Sequence, residues 1–107
     1  MRNVDTAVFR KMGEKHVVSS AGYEVRWDIP AAIAYIEPPR RMEFSVEGYW
    51  GSHGIWQYDI FMPPELKWWA PHQHEALTPE HVDRIKANLV HALNFLYPGV
   101  PFELVVQ

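Results

Sequence analysis

The chain has no cysteine, so it can build no disulfide framework and no thiolate chemistry is open to it. That absence suits a reducing compartment. No run approaches the roughly 20 apolar residues of a membrane-spanning helix, and Met1 to Ala7 lack the apolar core of a signal peptide. A cytoplasmic protein with no membrane partner is the expectation. Basic residues are scattered: the only adjacent pairs are Arg10-Lys11 and Arg40-Arg41, and the formal net charge is −3. Nucleic-acid binding draws on clustered cations, so direct contact with DNA or RNA is not expected. Neither GxxxxGK[ST] nor GxGxxG occurs, so the sequence encodes no recognised phosphate cradle.

Aromatic residues are what the chain has in excess. They make up 14% of 107 residues, and five are tryptophan. A chain of this length is one domain and can bury a core unaided. Five indoles in so small a volume cannot all be fully buried, so some lie half-exposed, offering apolar area and an N–H donor. Nine prolines and six glycines mark turns, and an apolar fraction of 48% argues against disorder.

Residues 1–20 are weakly patterned and read as a leading segment ordered by docking. Val4, Val8 and Met12, with Phe9, suggest a helical turn that Gly13 interrupts, and residues 16–19 suggest a short strand. From Tyr23 the pattern sharpens. Tyr23, Val25, Trp27 and Ile29 alternate with Glu24, Arg26 and Asp28, which is a strand with one apolar and one charged side. A second apolar run covers 31–37 and stops at Pro38-Pro39. A third strand alternates Met42, Phe44 and Val46 with Arg41, Glu43, Ser45 and Glu47. Residues 48–54 read as a glycine-rich connection. In 55–62, Trp56, Tyr58, Ile60 and Met62 share one side, with Gln57 and Asp59 on the other. Thr78 is a good N-cap, Pro79 fits the first helical position, and Val82, Ile85, Leu89, Leu93 and Leu96 repeat at helical spacing up to Pro98-Gly99. Val100, Phe102, Leu104 and Val106 form a last strand. The order predicts an α+β fold: a mainly antiparallel sheet of four to five strands, one long C-terminal helix packed on one face, then a final strand.

No stretch announces catalysis, and no cofactor is expected. His72, His74 and His81 lie near the start of the helix, with Glu75 and Glu80 close by. Two histidines and a carboxylate can hold zinc, but no recognised spacing is present. This loop supplies the alternative reading, a small metal- or ligand-binding domain or enzyme. Gly51-Ser52-His53-Gly54 is more economically a hairpin loop than a nucleophile site, because no orienting carboxylate accompanies the serine and histidine. The carboxylates fall into a pattern. Glu24 and Asp28, Glu43 and Glu47, and Asp59 occupy the polar sides of three strands. They form either a solvated face with cross-strand ion pairs or an acidic surface for a basic protein partner. Trp68-Trp69 has two readings as well: a lid over the core, or an anchor for a partner.

Taken together, Tyr23 onward, Lys67-Trp68-Trp69-Ala70-Pro71, Glu75, Leu77-Thr78-Pro79-Glu80, the helix with Ile85 and Leu93, and Phe102-Glu103-Leu104 resemble the bacterial polymorphic-toxin immunity proteins of family 74. The resemblance covers residues 22–106. The chain departs from it in its leading segment, its doubled tryptophan, and His72 where a second proline is usual. The resemblance implies a non-enzymatic protein that binds and neutralises a cognate toxin by occluding its active or substrate-binding surface. Many such toxins are nucleases with cationic clefts, which an acidic surface would complement. On that reading Glu24, Asp28, Glu43, Glu47, Asp59 and Trp68 are the expected contact residues.

Overall fold

Strand alternation builds most of this molecule. The computed structural model describes residues 8–106. Within them the strands are β1 (Phe9–Gly13), β2 (His16–Ser19), β3 (Tyr23–Ile29), β4 (Ala32–Glu37), β5 (Arg40–Trp50) and β6 (Trp56–Met62). The helix α1 (Pro79–Leu96) and strand β7 (Phe102–Val106) follow. All seven strands lie in one sheet, in chain order from β1 to β7. Every pairing is antiparallel except β6 with β7, which is parallel because α1 carries the chain back across the sheet.

The α+β class, the single helix and the closing strand agree with the alternation and capping signals. The strand count does not: there are seven, not four to five. Phe9–Gly13, read as a helical turn, is an edge strand paired with β2 through Phe9↔Ser19, Arg10↔Val18 and Lys11↔Val17. Its side chains are mostly exposed, so it shows no apolar alternation to read. Val4 lies outside the described residues. The third strand is longer than its alternation suggested, continuing through Gly48 and Tyr49 to Trp50.

β5 carries two pairings in turn. Residues 40–45 pair with β4, and residues 46–50 pair with β6. Beside the first half of β5, the 63–77 segment takes the place of a strand, and Trp69 N donates to the Arg41 carbonyl at 2.7 Å.

The core lies between α1 and one side of the sheet. Val25, Ile33, Tyr35, Phe44 and Ile60 meet Ile85, Leu89 and Leu93, all essentially inaccessible to solvent. Each aliphatic side chain so buried contributes roughly 1.5–3 kcal/mol. The helix starts where its chemistry says it should. Thr78 Oγ1 accepts from His81 N at 3.1 Å, and Pro79 occupies the first turn. No helix among the described residues is long and apolar enough to cross a membrane.

One expectation of side is reversed. Ile29 was placed on the apolar side of β3 but is exposed. Between Arg26↔Ala34 and Ile29↔Ala32 the register slips by one residue, a bulge that re-aims whatever follows it.

Candidate functional site

With α1 on one side, the other side of the sheet is uncovered among the described residues and carries the alternate residues of each strand. The strand register sorts its charges into two zones. Across β2 to the first half of β5, carboxylates have partners. Glu24 Oε1 lies 2.8 Å from His16 Nε2, Asp28 Oδ2 lies 3.0 Å from Arg26 Nε, and Glu43 Oε2 lies 2.6 Å from Arg41 Nη2. Ala32 and Ala34 leave a shallow dimple of about 70 Å³ between these pairs. Two of the three carboxylates here are offset by an arginine.

Across the second half of β5, then β6 and β7, the opposite holds. Glu47 is in register with Asp59, and Asp59 with Glu103. Three carboxylates therefore cross three adjacent strands in one row. No Lys or Arg stands in that row, and like charges directly opposite are destabilising. Asp59 sits in the middle, and its Oδ1 is buried with no hydrogen-bond partner among the described residues. Next to the row, Gln57 Nε2 donates to the Tyr49 hydroxyl. Burial, then a hydrogen bond to Asp59 and the charges of Asp59 and Glu103, push the Tyr49 phenol above its ordinary pKa, so it stays a neutral donor.

Of the residues expected to contact a partner, the register therefore brings Glu47 and Asp59 together with Glu103, which the sequence did not single out. Glu24, Asp28 and Glu43 stand apart, tied to His16, Arg26 and Arg41 in turn. Trp68 is elsewhere, on the inner side of the 63–77 segment. It is 2% exposed, packed parallel to Tyr35 at 6.3 Å and edge-on to His81. Its neighbour Trp69 turns outward, 49% exposed, with the Arg41 guanidinium 5.4 Å from its ring. The doubled tryptophan is thus a lid and an outward ring in succession.

The histidines are held by different carboxylates. His81 Nε2 lies 2.9 Å from Glu37 Oε1, and His72 Nδ1 lies 2.9 Å from Glu75 Oε2, while His74 is exposed. Glu37 also accepts from the Tyr35 hydroxyl, which in turn accepts from Asn88 Nδ2 at 3.0 Å. Glu75 accepts from Arg40 as well. Arg40 first, then His72, draw the Glu75 carboxyl down to about 2. These contacts clip the 63–77 segment, through Glu75 and Arg40, and α1, through His81 and Glu37, to the β4–β5 turn. Among the described residues, no group of three His, Asp or Glu side chains is arranged to hold a metal ion. Gly51–Gly54 forms the β5–β6 hairpin loop: Gly51 N donates to Ile55 O at 2.8 Å, and Gly54 adopts φ +72°.

The helix side of the same hairpin is uncovered beyond the end of α1. Trp50 and Trp56 face each other across β5 and β6, with ring centroids 5.1 Å apart, and both are exposed. The aromatic contacts run on through Tyr58 to Trp27, Phe102 and Tyr97. Trp27, Trp56, Tyr58 and Tyr97 line a hollow of about 590 Å³. These rings come from three separate segments, so alternation within one strand could not announce them.

The chain was compared with family models, curated proteins and solved structures, and none of them matches it.

Proposed function

We propose that this chain is a non-enzymatic binding protein of the immunity class, which neutralises a cognate bacterial toxin by covering its active or substrate-binding surface. The observation that carries the reading is the state of Asp59. It is flanked in register by Glu47 and Glu103, and one of its oxygens is buried without a donor. A partner that brings a Lys or Arg to this row relieves the repulsion between the three carboxylates. The row lies on an uncovered sheet face, where a flat or convex cationic surface can reach it. Tyr49 adds an aromatic ring with a polar tip beside it, a residue type favoured in interface cores. The toxin-directed part of the reading rests on the resemblance of residues 22–106 to immunity family 74.

On this reading Glu47, Asp59 and Glu103 steer and orient the encounter, and the ion-paired Glu24, Asp28 and Glu43 contribute less. The deciding experiment is growth rescue. The neighbouring gene is searched for a secreted toxic domain, and that domain is expressed in a test bacterium with and without this chain; the absence of any such domain also counts against the reading. Rescue by the wild-type protein supports the reading, and continued killing discards it. The double reversal Glu47→Lys with Glu103→Lys should then slow association by about tenfold at low salt, with less effect at high salt. An unchanged association rate removes the row from the contact.

A further inference from the structure

The hollow beside α1 lies on the opposite side of the sheet from the carboxylate row, so it is independent of the reading above. Its walls are rings set nearly at right angles. Trp27 and Tyr58 meet at 85° with centroids 4.9 Å apart, Trp56 and Tyr58 at 87° and 6.1 Å, and Trp27 and Tyr97 at 89° and 5.4 Å. Tyr58 thus forms a back wall with an indole on either hand. Trp27 is fixed in place by a hydrogen bond from its Nε1 to the Pro30 carbonyl at 3.3 Å. Gly48 makes the arrangement possible. A Cβ there would lie 2.6 Å from Trp56 Cζ2 and 2.8 Å from Tyr58 Cε1, so only glycine lets both rings fold across β5. The residue in register with Gly48 is Tyr58 itself.

At about 590 Å³ the hollow has the size of small-molecule sites, which run to roughly 300–1,000 Å³, with apolar walls and a few polar groups that fix orientation. Perpendicular rings suit a flat ligand, which can stack on one wall while presenting its edge to another. Lys15, from the two-residue turn between β1 and β2, is the one charged residue that lines it among the described residues. Its ammonium can pair with an anionic group on a bound ligand, while burial, then Tyr58 and the neighbouring Glu14 carboxylate, raise the Tyr97 phenol above its ordinary pKa. We infer that this hollow binds a planar aromatic molecule carrying a carboxylate or similar anionic group, with the ring between Trp27 and Trp56 and the anion at Lys15.

The test is a titration of the whole chain with naphthoate, read by tryptophan fluorescence and calorimetry, and repeated with the neutral naphthamide. Saturable naphthoate binding is expected. Trp56→Ala should weaken it about tenfold, since that ring is a wall of the site and is exposed enough to be removed without unfolding the chain. Lys15→Gln should weaken naphthoate about fivefold and leave naphthamide unchanged. Trp69→Ala, which removes an exposed indole elsewhere, should change neither. Circular dichroism confirms that each variant is folded. Three results would overturn the assignment: no saturation by the wild type up to about 10 mM, equal loss from Trp69→Ala and Trp56→Ala, or equal loss of both ligands in Lys15→Gln.

Discussion

Glu47 stands opposite Asp59 across β5 and β6, two carboxylates in register with no cation between them. Such a pair is a net cost to the isolated fold. Glu47→Lys should therefore stabilise the free protein, by roughly 0.2–1 kcal/mol. The gain should shrink as salt rises, because the pair is on an open face. Urea denaturation at low and high ionic strength checks both parts. A loss of stability in Glu47→Lys would mean that the row is already satisfied in the free chain.

The two adjacent tryptophans should separate cleanly in stability. Trp68 is buried against Tyr35 and His81, so Trp68→Ala removes a large ring from a packed site and should cost about 3–5 kcal/mol. Trp69 touches solvent and the Arg41 guanidinium, so Trp69→Ala should cost about 0.5–1 kcal/mol. Equilibrium urea unfolding of the two variants side by side measures the difference.

Acid should loosen the clip between the 63–77 segment and the β4–β5 turn. The Glu75 carboxyl in the folded chain titrates at about 2, against an ordinary value of 4.5, because Arg40 and then His72 favour its charged form. A folded-state pKa below the unfolded one stabilises the fold above the unfolded value. That contribution fades as the pH falls through the folded value. Between pH 4.5 and about 2 the wild type should therefore lose thermal stability more steeply than Glu75→Gln. Melting curves of both proteins across that window check the sign.

Gly48→Ala should be destabilising by about 1–3 kcal/mol, because the added methyl meets two aromatic rings at less than contact distance. Trp56 is the ring with room to swing outward, so its displacement should shift the tryptophan emission to longer wavelength. Denaturation and emission spectra read the two consequences separately.

What the sequence made legible follows from how far each signal reaches along the chain. The helix was legible because Thr78, Pro79 and the Val82–Ile85–Leu89 spacing are all local. β3 and the first half of β5 were legible because their inner and outer residues differ sharply. β1 was not, since an edge strand with Arg10 and Lys11 exposed and only Phe9 packed inward has no contrast to detect. The far half of β5 was hidden by Gly48, a residue that weakens strands in general but here admits its cross-strand neighbours. The carboxylates show the same limit. Alternation put Glu24, Asp28, Glu43, Glu47 and Asp59 on polar sides, but only the register separates those with cations from those without. Glu103 joins the row through a parallel pairing that no local pattern encodes. The rings of the aromatic hollow come from three segments that meet, and it was likewise beyond reach of a linear reading.

The order of strands in the sheet bears on how the chain assembles as it is synthesised. Each of the first six strands pairs with the one just made, so the meander can zip up hairpin by hairpin behind the ribosome, closing short loops as it goes. β7 has to wait. It reaches β6 only after residues 63–101 have emerged and α1 has laid itself over the sheet. Until then β6 is a bare edge with Ile60 and Met62 unsheltered, and the arrival of α1 and β7 is what shelters those two side chains.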